Sequence, residues 1–129
     1  MAADIKSALD DLIFSTGVSV QDAVSKHFSD DYRQRTNGQW DERDAFIEHI
    51  IHLRTVVTGG SIIVHEELVS GNTYADRHTV TIEKTDGTRA VTEVYLFGEH
   101  APDGRFQRIE EVTLLISGSE EDAGLGNAR

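Results

Sequence analysis

Two glutamates stand in runs rich in apolar and β-branched residues: Glu93 in Val91-Thr92-Glu93-Val94-Tyr95, and Glu111, next to Glu110, in Ile109-Glu110-Glu111-Val112-Thr113. A carboxyl group held in poorly solvated space is pushed toward its protonated form and becomes a proton donor near neutral pH. Arg77, in Asp76-Arg77-His78, adds a guanidinium whose fork of donors suits a carboxylate or an enolate oxygen. These residue types together suit proton transfer, with one of Glu93 and Glu111 as the protonated donor, the other as its acid/base partner, and Arg77 as an oxyanion clamp. The alternative is a buried ion network in which Arg77 neutralises one or both glutamates and no chemistry follows.

Other side chains complete or compete with this site. Tyr95, Ile109 and Thr113 share the alternation phase of the two glutamates, and His65 falls on the same phase of an earlier strand. Arg35 is expected near the cavity mouth. His49 and His52 are three residues apart, whereas a helical zinc site favours histidines at i and i+4 with a third ligand, so no metal is expected. No cofactor is expected either. There is no glycine-rich phosphate loop after a strand, no Gly-x-Ser-x-Gly elbow and no cysteine.

The elements that must position these residues are marked by turn signals. Gly59-Gly60, Gly71-Asn72, Asp86-Gly87 and Asp103-Gly104 separate runs rich in Val, Ile, Thr and Tyr, which predicts strands over about 61–70, 73–85, 88–98 and 105–117. Their short connections predict an antiparallel meander. Upstream, Asp4 can cap a helix carrying Ile5, Leu9, Leu12 and Ile13, Ser19 with Asp22 can cap a second, and Asp41 with Asp44 can open a third over about 41–57. Tyr32-Arg33-Gln34-Arg35 reads as a short strand followed by a turn, and Trp40 as a staple before the third helix. Helices followed by strands predict an α+β domain.

Alternation along strands assigns faces. A smooth face is expected from Val80, Ile82, Val94, Leu96, Val112, Leu114 and Ile116. A mixed face is expected from Arg77, Glu93, Tyr95, Ile109, Glu111, Thr113 and His65. With the helices over the mixed face, the smooth one is left for a second copy, which predicts a homodimer through the convex side of the sheet.

Composition narrows the partners. The chain has 129 residues, enough for one domain and not two. Twelve Lys plus Arg against 23 Asp plus Glu give a formal charge of −11, which disfavours nucleic acid. No run approaches a membrane span, the first residues are charged rather than signal-like, and cysteine is absent, so a cytoplasmic setting is expected. Residues 1–117 are read as the folded unit, and 118–129, with Glu120-Glu121-Asp122 among Gly, Ser and Ala, as a flexible acidic tail.

Four segments in this order, Phe28-Ser29-Asp30-Asp31-Tyr32, Tyr32-Arg33-Gln34-Arg35, Glu42-Arg43-Asp44-Ala45-Phe46-Ile47 and Gly104-Arg105-Phe106-Gln107-Arg108-Ile109-Glu110-Glu111, resemble the SnoaL-like proteins of the nuclear transport factor 2-like superfamily. The resemblance spans roughly residues 5–116. It implies a cone, a curved antiparallel sheet around three N-terminal helices with a small-molecule cavity on its concave side, and frequent dimerisation through the sheet. The superfamily includes ketosteroid isomerases, polyketide cyclases, dehydratases and non-catalytic members. The resemblance places Glu93 at the isomerase acid and Glu111 at the acid/base of cyclase-like members, with Arg77 at a cavity-lining arginine. The isomerase base position matches Arg35, which cannot act as a base at ordinary pH, so steroid-isomerase chemistry with that layout is disfavoured. The implied functions are a cofactor-free isomerase, cyclase or dehydratase acting on an apolar carbonyl compound, or a ligand-binding or scaffold protein without turnover.

Overall fold

A computed structural model describes residues 2–118. The expected acidic tail lies outside the described residues, apart from Gly118.

The first two helices begin where short polar side chains satisfy open backbone donors. Asp4 Oδ1 accepts from the Ser7 amide at 2.9 Å and opens α1, Ile5–Leu9. The chain continues as one π-helical turn, Asp10–Phe14, so that Ile5, Leu9 and Ile13 reach the same cavity. Ser19 Oγ accepts from the Asp22 amide at 3.0 Å and opens α2, Val20–His27. The third helix, α3, runs over Arg43–Val56 and starts later than expected. Asp41 lies in a strand instead, and Glu42 occupies the cap position with no side-chain bond.

Six strands form one sheet: β1 Phe28–Thr36, β2 Gln39–Glu42, β3 Val57–Ser70, β4 Thr73–Lys84, β5 Arg89–His100 and β6 Phe106–Ser117, in the order β2-β1-β6-β5-β4-β3. Asn37 and Gly38 both have positive φ, 52° and 88°, the conformation that a tight two-residue hairpin between β1 and β2 requires. The meander β3 to β6 is antiparallel as expected, but β1 runs parallel to β6. Parallel neighbours need a long connection, and here α3 and the four strands β2 to β5 intervene. The helices lie against one face. The core joins Ala8, Leu12, Ala23 and Val24 to Phe28, Tyr32, Phe46, Tyr74, Leu96 and Phe106.

The assignment of faces needs correction. Backbone pairing puts His78 beside Val94 and Val94 beside Thr113, and it puts Asp76 beside Leu96 and Leu96 beside Glu111. These residues share the inner face with Val80, Ile82 and Ile109. Arg77 pairs with Tyr95 and Tyr95 with Val112, while Thr79 pairs with Glu93 and Glu93 with Leu114, forming outer rows. The helices therefore cover the face carrying Val80, Ile82, Val94 and Leu96, which was expected to meet a second copy. The side expected to be uniformly apolar is divided, because β6 stands one residue out of phase with the expected alignment. A one-residue change of register reverses every side chain of a strand. In β6 both phases carry large apolar residues, so its composition does not oppose either choice.

Candidate functional site

A cavity of about 110 Å³ lies between the inner face of the sheet and the helices. Ile5, Leu9 and Ile13 close one side, Phe46, Ile50 and Leu53 of α3 another, and Val80, Ile82, Val94, Leu96 and Ile109 form the floor. Polar lining comes from Tyr32, Gln34, His49, His78, Thr92, Glu111 and Thr113, with no Lys or Arg among the described lining residues. That chemistry suits a neutral molecule with an apolar body and a hydrogen-bonding group.

Alternation along β4 turns Asp76 and His78 inward. Asp76 Oδ1 and His78 Nδ1 are 2.5 Å apart, and both side chains are almost fully buried. The other carboxylate oxygen, Asp76 Oδ2, is buried with no hydrogen-bond partner among the described residues. A buried carboxylate so placed fixes the imidazole's orientation and leaves Nε2 as the second working nitrogen.

Glu111 reaches the same cavity from β6. Burial pushes its carboxyl above the ordinary range, against the opposing pull of the nearby His78 charge and the Thr36 hydrogen bond, while Asp76 adds to the rise. Alternation along β1 supplies a run of bonds to this group. Tyr32 Oη donates to Gln34 Oε1 at 2.8 Å, Gln34 Nε2 donates to Thr36 Oγ1 at 3.2 Å, and Thr36 Oγ1 donates to Glu111 Oε1 at 3.1 Å. Burial keeps the Tyr32 hydroxyl well above its usual titration range, with the Glu111 charge adding to the effect, so it acts as a neutral phenol.

Of the sequence-predicted site residues, Glu111, Ile109 and Thr113 line the cavity. Glu93, Arg77, Tyr95 and His65 do not line this cavity, although Tyr95 and Arg35 border a second pocket with Glu110 and Glu111. Glu93 accepts a short hydrogen bond from Tyr95 on the outer face, and that bond raises the Tyr95 hydroxyl's pKa. Arg77 Nη2 lies 3.2 Å from Glu66 Oε1, and His65 Nε2 lies 2.6 Å from Thr79 Oγ1 beside a bulge in β3. Arg35 also faces outward, 3.8 Å from Glu110, because alternation in β1 turns Gln34 and Thr36 inward. Glu93 and Glu111 therefore share no cavity, and Arg77 cannot neutralise Glu111 in the structure described.

Sequence reasoning missed Asp76, His78, Gln34 and Thr36 as members of the site. The signals were present: Asp76 and His78 are two apart on a strand, as are Tyr32, Gln34 and Thr36. They became informative once the neighbouring strands were in register. Of the two histidines on α3, His49 lines the cavity and His52 is exposed. Among the described residues, no group of three or more His, Cys, Asp or Glu side chains could hold a metal ion.

Comparisons with known proteins agree with this architecture. No protein-family model matches the chain. The uncharacterized protein C11D3.04c of Schizosaccharomyces pombe is 30% identical over 116 residues, covering 90% of this chain and 86% of the yeast protein. An NTF2-like protein from Exiguobacterium sp. 255-15 superposes with a TM-score of 0.69 at 19% identity, covering 84% of this chain and 93% of its own. A ketosteroid isomerase-like protein from Catenulispora acidiphila, solved in complex with trimethylamine, gives a TM-score of 0.65 at 9% identity over 86% of this chain and 85% of its own. A SnoaL-like family protein from Agrobacterium tumefaciens gives 0.60 at 14% identity over 84% and 92% of the two chains. The six-stranded curved sheet around three helices is thus the α+β fold of the nuclear transport factor 2-like superfamily, and the chain belongs to the same family as C11D3.04c.

Proposed function

We propose that the protein binds a small, neutral, carbonyl-bearing molecule in this cavity and moves a proton on it without a cofactor, as an isomerase, cyclase or dehydratase does. The carrying observation is the placement of two different proton-handling groups in one apolar space: Glu111, whose burial favours the protonated acid, and His78, oriented by Asp76. Glu111 donates its proton to the carbonyl oxygen while His78 Nε2 accepts one from the adjacent carbon, giving an enol. Return of the His78 proton to another carbon, with the enol proton going back to Glu111, completes an isomerisation; delivery of the His78 proton to a β-hydroxyl, which leaves as water as the enol proton returns to Glu111, completes a dehydration. The neutral acid supplies the oxygen contact that Arg77, paired with Glu66 on the other face, does not. An apolar cavity of about 150 Å³ holds benzene, so about 110 Å³ suits a ligand of roughly that size or smaller.

The test is enolisation itself. In deuterated water, the protein should speed exchange of the α-protons of cyclopentanone and small enones, followed by NMR. Glu111→Gln and His78→Phe should each lower the rate about 100-fold. Binding without exchange in the unsubstituted protein would overturn the enzymatic reading in favour of a non-catalytic ligand-binding member. That alternative draws support from the protein partners already bonded to Glu111 and His78.

We further propose that the outer face of β3 to β6 meets a second copy, and that the protein works in a reducing, cytoplasm-like compartment. Ile63, Tyr95, Phe97, Val112, Leu114 and Ile116 form an apolar patch on that face, each about half exposed. The absence of cysteine supports the compartment. Among the described residues, no helix is long and apolar enough to cross a membrane.

A further inference from the structure

The bonds along β1 all point one way. Tyr32, Gln34 and Thr36 are each at least nine-tenths buried, and each donates to the next, the last to Glu111. An ionised carboxylate only accepts, so charged Glu111 holds this direction: Thr36 must donate to it, Gln34 to Thr36, and Tyr32 to Gln34. The Tyr32 proton is then committed to the protein. A protonated Glu111 releases the constraint, because it can place its own proton on Oε1 and donate to Thr36. The Thr36 hydroxyl then turns to donate to Gln34, whose amide flips so that its oxygen accepts and its nitrogen donates to Tyr32. The Tyr32 hydroxyl is freed to donate to a molecule in the cavity that it helps to line.

We propose that Tyr32, Gln34 and Thr36 form a reversible hydrogen-bond chain whose direction is set by the charge on Glu111. Through it, the cavity offers the Tyr32 hydroxyl to a neutral acceptor such as a ketone or aldehyde only while Glu111 is protonated. The inference rests on the proposed reading of Glu111 as a group that exchanges a proton, and it adds Tyr32 as an alternative donor to the ligand oxygen, used while the Glu111 proton lies on Oε1 toward Thr36; with the proton on Oε2 the chain keeps its first direction and Glu111 itself is the donor. Gln34 and Thr36 are positioning residues, since they act through Tyr32 and Glu111. The charged and titratable groups around the carboxyl are Asp76 and His78 from β4 and Tyr32 from β1, while His49 of α3 lines the same cavity. Asp76 opposes ionisation of Glu111 and the His78 charge favours it, so His78 requires a control of its own.

The experiment follows both ends of the chain in the full-length protein without a ligand. Tyrosine labelled with ¹³C at Cζ and glutamate labelled at Cδ are titrated by NMR. The Tyr32 and Glu111 signals are assigned by their loss in Tyr32→Phe and Glu111→Gln. The expected result is a Tyr32 step with the same midpoint as Glu111. That step should vanish in Gln34→Leu and in the near-isosteric Thr36→Val while Glu111 still titrates, and Thr36→Ser should restore it. A Tyr32 signal that stays flat while Glu111 titrates overturns the chain and leaves the proposed function standing. A step that survives both Gln34→Leu and Thr36→Val also overturns the chain, by assigning the effect to the field of Glu111 through space. Survival in Glu111→Gln assigns the step to His78 and overturns it likewise. A Glu111 signal that never titrates overturns the chain and the proposed function together.

Discussion

Glu111 carries opposing forces that can be read as a dependence of stability on pH. Burial raises its pKa above the ordinary value of 4.5, and the nearby His78 charge and the Thr36 bond offset only part of that rise. The folded protein therefore holds this proton more tightly than the unfolded chain does. Between the two pKa values the native state binds more protons, so stability falls as pH rises. The contribution is fully present below the unfolded value and is lost as pH rises through the folded one. Glu111→Gln cannot ionise, so thermal melts should show it gaining on the unsubstituted protein as pH rises from the ordinary carboxyl range through neutrality. A constant difference across that range would count against a raised pKa. The same substitution removes the proposed acid, so activity and stability should move in opposite directions at neutral pH, a trade common where function needs an unfavourably buried group.

At the level of elements, one arginine ties the cavity's helical cover to α3. Arg54 donates from Nε to the Leu12 carbonyl at 2.6 Å, from Nη1 to the Val18 carbonyl at 2.7 Å and from Nη2 to the Asp11 carbonyl at 2.8 Å. These oxygens belong to the π-helical turn and to the segment that follows it. Arg54→Ala should cost about 3 kcal/mol in urea unfolding, and Arg54→Lys should recover less than half, since one ammonium cannot reproduce the fork. The start of β3 is equally constrained. Gly60 has φ +152°, and a Cβ there would lie 1.9 Å from the Thr81 carbonyl oxygen and 2.9 Å from the Phe14 ring. Gly60→Ala should destabilise by about 3 kcal/mol or more, because backbone on the neighbouring strand cannot give way as a flexible side chain would. Circular dichroism melts would measure it, and a loss below about 1 kcal/mol would mean that β3 can shift away from β4 at this point.

For the whole molecule, the unresolved balance is between charge and apolar surface. A chain of formal charge −11 repels its copies at long range, yet its outer sheet face presents Tyr95, Phe97, Val112, Leu114 and Ile116 together. Salt shortens the repulsion to about 8 Å at physiological ionic strength, whereas the apolar contact is unaffected in kind. Light scattering at micromolar concentration should give twice the mass of the chain, with dimerisation strengthened by salt. Leu114→Glu, which places a charge amid that patch, should give a monomer with the cavity chemistry intact. A monomer from the unsubstituted protein would remove the second copy from the proposal.

Local chemistry along the chain was enough for much of the architecture. Asp4 and Ser19 mark helix starts because their side chains satisfy amides within reach, and Gly71, Gly87 and Asn37-Gly38 mark turns because their backbone conformations suit few other residues. Glu111 was legible as a carboxyl in an apolar run, and Val80, Ile82, Val94 and Leu96 as one face of two strands. Their partners were not legible. Which phase of β6 joins that face depends on backbone pairing with β5 and on the parallel contact with β1, and no local signal specifies either. Strand side chains repeat every two residues, so a single step of register separated Glu93 from Glu111 and exchanged Arg77 for His78 at the cavity wall. The candidate chemistry thus resides in individual side chains that the amino-acid order reveals, while their meeting in one cavity is a property of register across the folded sheet.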